Sequence, residues 1–282
     1  MPNPARAFAA AVARTAVAVL AVVCGACAAP GASTADAALA AAVRSRPIVL
    51  LGEIHDNAGQ HALRARALGA LLAGGARPAI LMEQFDRERQ ADIDRVLARP
   101  DATADDVIAA AAPARAGWEW AYYKPLIALA LRYRLPLVAV NVSRDDARRA
   151  IRDGLPALGF DGEVPADIAA AQAADIEAGH CGAIDRPTAG RMVAAQEARD
   201  QFMARQLAAH ASGGAVLLAG NGHVRRDVGV PRWLPTAVRE RSVSIGLLEP
   251  DSDMAGAFDV AITTPAQPRP DPCEAFRAAS AP

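Results

Sequence analysis

The chain alternates short, uninterrupted apolar runs with longer stretches that carry apolar residues at helical spacing, and this alternation limits its fold more than any other feature. Pro47-Ile-Val-Leu-Leu-Gly-Glu53 ends on glycine and reads as a buried strand. Ala79-Ile-Leu-Met-Glu83, Leu137-Val-Ala-Val-Asn-Val142 and Ala215-Val-Leu-Leu-Ala219 repeat the pattern, and Val243–Leu248 and Phe258–Ile262 complete it. Between the first two runs, Leu63, Ala67, Leu68, Leu71 and Leu72 recur at helical spacing over 56–73 and stop at Gly74-Gly75. Residues 86–98 and 103–112 (closed by Pro113) also read as helices. So does 126–134, with Pro125 in its first turn, where a missing N–H costs nothing. The same holds for 144–158 behind the N-cap Ser143, and for 188–211. Residues 159–187 read as an irregular loop with a short helix over 165–177. Strand and helix in alternation predict an α/β fold: a mostly parallel β-sheet with helices on both faces.

In open sheets of this kind the ligand lies beyond the carboxyl ends of the strands. The polar residues at those ends are Glu53 and His55 after the first run, Glu83 after the second, Asn141 on the third and Gly220-Asn-Gly-His223 after the fourth. Glu53 and His55 are two apart, so an extended backbone turns both to one side. Burying such groups costs free energy unless they are paired or bind something. Glu53, His55, Glu83 and His223 are therefore the candidate site. Two imidazoles and two carboxylates without a thiolate suit zinc, iron or manganese, and equally suit acid–base work. The plainer alternative is a set of capping groups, with Asp56 at a helix start.

A second feature is Trp118-Glu-Trp-Ala-Tyr-Tyr-Lys-Pro125, which holds the only lysine, Lys124. An aromatic cluster with one cation suits a large planar ligand bearing a carboxylate or phosphate, or else an aromatic plug closing the core. Phenolate is a known axial ligand of haem iron, which singles out the tyrosines. His61, His180 and His210 read as structural or solvent-facing. No Ser-His-Asp order, nucleophile elbow or phosphate loop is present.

Residues 1–14 carry Arg6 and Arg14 and no acid, and Thr15–Cys27 is uncharged and largely apolar. A basic start, a short apolar run and small residues make a secretory signal; a membrane-spanning helix needs roughly 20 apolar residues. Gly25-Ala26 before Cys27 suits a lipoprotein signal peptidase, so the chain is either lipidated at Cys27 or simply cleaved. Removing residues 1–26 takes two arginines and no acid from a net charge of −1, leaving −3, which argues against nucleic acid as a partner. An oxidising compartment favours a Cys181–Cys273 disulfide. Such a bridge contributes about 4 kcal/mol in the chain-entropy model. The expected layout is a signal peptide at 1–27, a tether with a short helix at 28–46, one α/β domain at 47–264, and a Pro-rich tail at 265–282.

Leu51-Gly-Glu-Ile-His-Asp56, Met82-Glu-Gln84, Trp120-x-x-Tyr123-x-Pro125, Leu135-Pro-x-x-x-x-Asn141 and Gly220-Asn-Gly-His223 resemble, in order, the ChaN-like haem-binding uptake lipoproteins. These belong to a superfamily with the Tiki proteases and the erythromycin esterases, marked by two Gly-x-x-His motifs and paired Glu. The resemblance implies a periplasm-facing, membrane-anchored lipoprotein of haem or iron uptake, working beside an outer-membrane haem receptor system. It further implies a homodimer around two stacked haems, with a tyrosine from one subunit on iron and a histidine and a lysine from the other on propionates. Tyr123 and Lys124 match those positions, with His55 or His223 as the histidine, while Tyr122 and Tyr133 stay open as the ligand. The expected function is haem binding rather than catalysis. The alternative is a metal-dependent hydrolase in which Glu53, His55, Glu83 and His223 hold a divalent metal (Zn, Mn or Fe) or activate water.

Overall fold

The computed structural model describes residues 33–112, 117–271 and 273–274. The signal peptide 1–27, lipidation of Cys27, Pro113 and the tail beyond 274 lie outside the described residues. Six strands form one sheet: β1 (Ile48–Leu51), β2 (Ala79–Asp86), β3 (Leu137–Asn141), β4 (Ala215–Leu218), β5 (Ser242–Leu248) and β6 (Val260–Thr263). Their order in space is β3-β2-β4-β1-β5-β6, and every pairing is parallel. Helices α1 (Thr34–Ala42), α2 (Ala58–Ala73), α3 (Gln90–Leu97), α4 (Ala104–Ala111) and α5 (Trp120–Arg132) occupy the first half. Helices α6 (Arg144–Asp153), α7 (Ala166–Gly179), α8 (Arg186–His210) and the short α9 (Asn221–Val224) follow.

Because strand side chains alternate between faces, each strand feeds two cores. Val49, Leu51, Ile80 and Met82 pack with Leu68 of α2, Ile108 of α4 and Ile127 of α5. Ile48, Leu50, Leu81 and Val140 pack on the other face with Met203 and Leu207 of α8 and with Leu234. Steps from β1 to β2 and from β2 to β3 run one way across the sheet and lie on the first face. The later steps run the other way and lie on the second, as right-handed crossovers require when a chain reverses direction. Neighbouring strands β1 and β4 thus send their connections to opposite faces, which opens a crevice at their carboxyl ends.

Three boundaries differ from the sequence-based expectation. β2 continues to Asp86, so Glu83 lies inside a strand, at the irregularity where the β2–β3 register shifts between Met82 and Asp86. α5 starts at Trp120, not Leu126; the Glu119 side chain accepts from the Ala121 N–H, and Trp120 and Tyr123 are buried against the core. Pro125 consequently lies inside α5, and the Ala121 carbonyl loses the donor a regular helix would supply. α6 begins on the expected Ser143 cap but ends at Gly154, whose φ of 82° breaks the helix. Helix α7 falls where the short helix over 165–177 is expected. Leu39 and Val43 at α1 are buried, so the short helix expected before the domain packs onto it. Cys181 and Cys273 are bonded, with Cα atoms 5.6 Å apart, tying the turn between α7 and α8 to the tail. No helix among the described residues is long and apolar enough to cross a membrane.

Candidate functional site

Two glycines let the strand ends converge. A Cβ on Gly52 would lie 2.2 Å from Asn221 Oδ1, and one on Gly220 would lie 2.8 Å from His55 Nε2. A side chain at either position would displace Asn221 or the His55 ring, which is the physical reason for glycine at the head of both Gly-x-x-His segments. The Asn221 N–H donates to the Glu53 carbonyl at 2.9 Å. The Asn221 side chain donates to the Leu247 carbonyl at 2.6 Å and accepts from the Leu247 N–H at 3.2 Å, binding the end of β4 to β5. The register shift in β2 is the kind of irregularity that re-aims a side chain at a site, and Glu83 is the residue it carries there.

Glu53 is sealed in. Its Oε1 accepts from the Tyr123 hydroxyl at 2.7 Å and from His55 Nδ1 at 2.8 Å, and its Oε2 forms an ion pair with Nη1 of Arg64. Arg64 is wholly buried on α2; burial pulls its pKa down to about 10, which still leaves it charged at neutral pH. Tyr123 is also wholly buried, and burial raises its phenol above the ordinary value, favouring the neutral donor. His61 stacks on Tyr122 with ring centroids 4.7 Å apart and donates from Nε2 to the His55 carbonyl; burial lowers its pKa.

Glu83 faces the crevice. Its Oε2 accepts from the Gly220 N–H at 2.7 Å, and its Oε1 lies 3.5 Å from His223 Nε2 and 4.0 Å from His55 Nε2. Burial would raise its pKa, but the His223 charge and hydrogen bond, His55 and the Gly220 N–H outweigh burial and hold it at about 2. His223 Nδ1 meets Asp200 Oδ1 at 2.5 Å, with Gln196 Nε2 at 3.1 Å from the same nitrogen. Burial alone would lower the His223 pKa; Asp200 and Glu83 together raise it to about 10, so an imidazolium stands between two carboxylates at neutral pH. Burial raises the Asp200 pKa against the opposing pull of His223.

These groups form the floor of an open cleft of about 880 Å³ that reaches from His55, Glu83 and His223 to α6 and α8. The volume falls in the ~300–1,000 Å³ range of small-molecule sites. Trp118 walls it and meets the His55 ring edge-on at 5.0 Å. Of the residues expected to touch haem, His55 and His223 line this cleft. Tyr123 and Lys124 do not: the Tyr123 hydroxyl is bonded to Glu53, and Lys124 pairs with Asp105 at 2.7 Å on the surface. The metal-binding set expected from sequence is not assembled. Arg64 occupies Glu53, and no group of three or more His, Cys, Asp or Glu side chains placed to hold a metal occurs among the described residues.

Sequence reasoning missed Arg64, Asp200 and Gln196. Arg64 interrupts the apolar stripe of α2, four residues after Gln60 and four before Leu68. Asp200 interrupts the stripe of α8 that runs through Val193, Ala204 and Leu207. A charge inside an apolar stripe is the signal that marks both. Gln84 is buried at the cleft wall, and its amide finds no hydrogen-bond partner among the described residues.

Fold and site together define a parallel α/β protein with an acidic and imidazole floor at its topological switch point. Residues 39–234 match the family described as haem-binding uptake, Tiki superfamily, ChaN, and the chain belongs to that family. Among solved structures it is similar to one titled as cofacial heme binding to ChaN of Campylobacter jejuni. The match has a TM-score of 0.63 and 17% identity, over 79% of this chain and 89% of that one. It is also similar to an erythromycin esterase mutant, EreC, in its open conformation, at a TM-score of 0.46 and 17% identity over 75% of this chain and 72% of that one. No curated protein matches the chain.

Proposed function

We propose that this chain binds haem in the cleft beside Trp118, as an exported component of haem or iron uptake. The observation that carries the reading is the setting of His55. Its Nδ1 donates to the Glu53 carboxylate, which fixes the ring where it lines the cleft. A carboxylate–histidine pair of this form is how metal-facing imidazoles are oriented in general. The half-exposed ring stands against an aromatic wall, the surface a flat macrocycle needs. His223, locked between Asp200 and Glu83, serves the floor and not the iron. Tyr123 reaches iron only by giving up its bond to Glu53. Family membership supports haem as the ligand, and the solved ChaN relative is titled as binding heme.

The Cys181–Cys273 bridge supports export, since such bonds persist in oxidising compartments. Anchoring through Cys27, a homodimer around stacked haems and supply from an outer-membrane haem receptor belong to the same proposal. The test of binding is a haemin titration of purified apo protein with metal analysis of the same sample. The expected result is a saturable Soret change without bound zinc or manganese. Stoichiometric divalent metal with no Soret change contradicts it. Anchoring is tested by fractionation, in which wild type stays with the membrane and Cys27→Ser is released.

A further inference from the structure

The cleft is also lined by four arginines: Arg89 after β2, Arg144 and Arg148 on α6, and Arg199 on α8. Two of them are already answered, Arg89 by Asp92 at 3.3 Å and Arg148 by Asp145 at 3.0 Å. Neither Arg144 nor Arg199 has an ion pair within 4.0 Å among the described residues. Arg199 makes only a 3.3 Å contact to the Ala195 carbonyl of its own helix. Asp86, a half-buried carboxylate whose pKa burial raises and Arg199, Arg89 and Arg144 pull back, lines the same cleft. With Arg89 paired to Asp92, Arg144 and Arg199 line the cleft without an ion pair of their own among the described residues. The fold sets them deliberately, through the Ser143 cap that starts α6 and through the face of α8 that also carries Gln196.

We propose that Arg144 and Arg199 form an anion-recognition subsite that takes the carboxylates of the ligand bound in this cleft. This rests on the haem reading and deepens it, because the propionates are the only charged groups of that ligand's periphery. A planar guanidinium holds a carboxylate through two parallel N–H donors, and does so more strongly in a cleft partly shielded from water than on an open surface. The imidazoles of the cleft meet the metal or the macrocycle, and its arginines fix which way the ligand enters. The arrangement selects porphyrins with free propionates over neutral esters of the same ring.

The test compares haemin with haemin dimethyl ester, titrated by absorbance into wild type and into the Arg144→Gln/Arg199→Gln double variant. Both positions lie at the cleft surface, outside the core, so the variant keeps its fold, which circular dichroism checks. Wild type is expected to bind haemin at least about tenfold more tightly than the ester, about 1.4 kcal/mol, and the double variant to bind both equally weakly. Equal binding of haemin and ester by wild type, or unchanged haemin binding by the variant, overturns the subsite while leaving haem binding intact. If wild type binds no haemin, the haem reading fails separately. Inorganic pyrophosphate added to the ligand-free protein then decides the subsite. Shifted arginine side-chain NMR signals in wild type and not in the variant support it, and unshifted signals overturn it.

Discussion

Glu53 follows β1 and Glu83 lies within β2, the two strands that flank β4, and both are almost wholly buried, yet their surroundings are opposite. Glu53 faces α2 and α5, where a buried guanidinium and a phenol close over it. Glu83 faces α8 and the cleft, where it balances one imidazolium against a second carboxylate. The Glu53 group is a fixed ionic plug that holds the floor and orients His55. The Glu83 group is a proton-bearing floor in contact with whatever the cleft holds. Two buried acids of the same residue type therefore divide into a structural and a ligand-facing role, and the helix packed against each decides which.

The largest effect is expected at the plug. Arg64→Leu leaves Glu53 buried without its charge partner, a loss of about 3–5 kcal/mol. At 2–4 °C per kcal/mol for a domain of this size, Tm falls by on the order of 10 °C in calorimetry. Arg64→Leu/Glu53→Leu should lie nearer wild type than the sum of the single variants; additive losses would break the pairing.

The ligand-facing group should show itself through pH instead. The folded pKa of His223 is raised from 6.5 to about 10, so its contribution is fully present below 6.5 and is lost as pH rises through about 10. Glu83 is lowered from 4.5 to about 2, so its contribution is present above 4.5 and is lost as pH falls through about 2. Unfolding free energies from urea titrations should drop by on the order of 3–5 kcal/mol across each window. His223→Asn should flatten the alkaline limb and Glu83→Gln the acid limb. An alkaline limb that survives His223→Asn would place the titrating group elsewhere.

The smallest effect is expected outside both groups. Lys124 and Asp105 are exposed partners, so Lys124→Ala should change stability by no more than about 0.5 kcal/mol and leave haemin affinity at the wild-type value. A tenfold loss in the same titration would return Lys124 to the site.

Much of this division was out of reach of the sequence. The apolar runs located β1, β3, β4 and β5 because a strand buried on both faces leaves a continuous signal. The polar residues after them located the floor, because ligand-facing groups in parallel sheets gather there. The end of β2 was hidden, since Glu-Gln-Phe-Asp carries no apolar run and continues only through an irregular ladder. The start of α5 was hidden by Pro125, which local rules place in a first turn but which the buried faces of Trp120 and Tyr123 override. Arg64 and Asp200 were invisible as partners because each lies on a different element from the charge it answers, Arg64 on α2 for Glu53 after β1 and Asp200 on α8 for His223 after β4. The strand order that brings β4 between β1 and β2 is likewise a long-range fact with no local trace.

The central claim is that the ligand meets the open side of this floor and not the sealed one, and paired haemin titrations of His55→Ala and Tyr123→Phe test it most directly. His55→Ala removes the imidazole that faces the cleft, while Tyr123→Phe keeps the buried ring and deletes only the oxygen bonded to Glu53. The account predicts that His55→Ala shifts the Soret band and weakens binding by at least about tenfold, while Tyr123→Phe keeps the wild-type spectrum. A shifted band in Tyr123→Phe with an unchanged one in His55→Ala would contradict it and put iron on the sealed side.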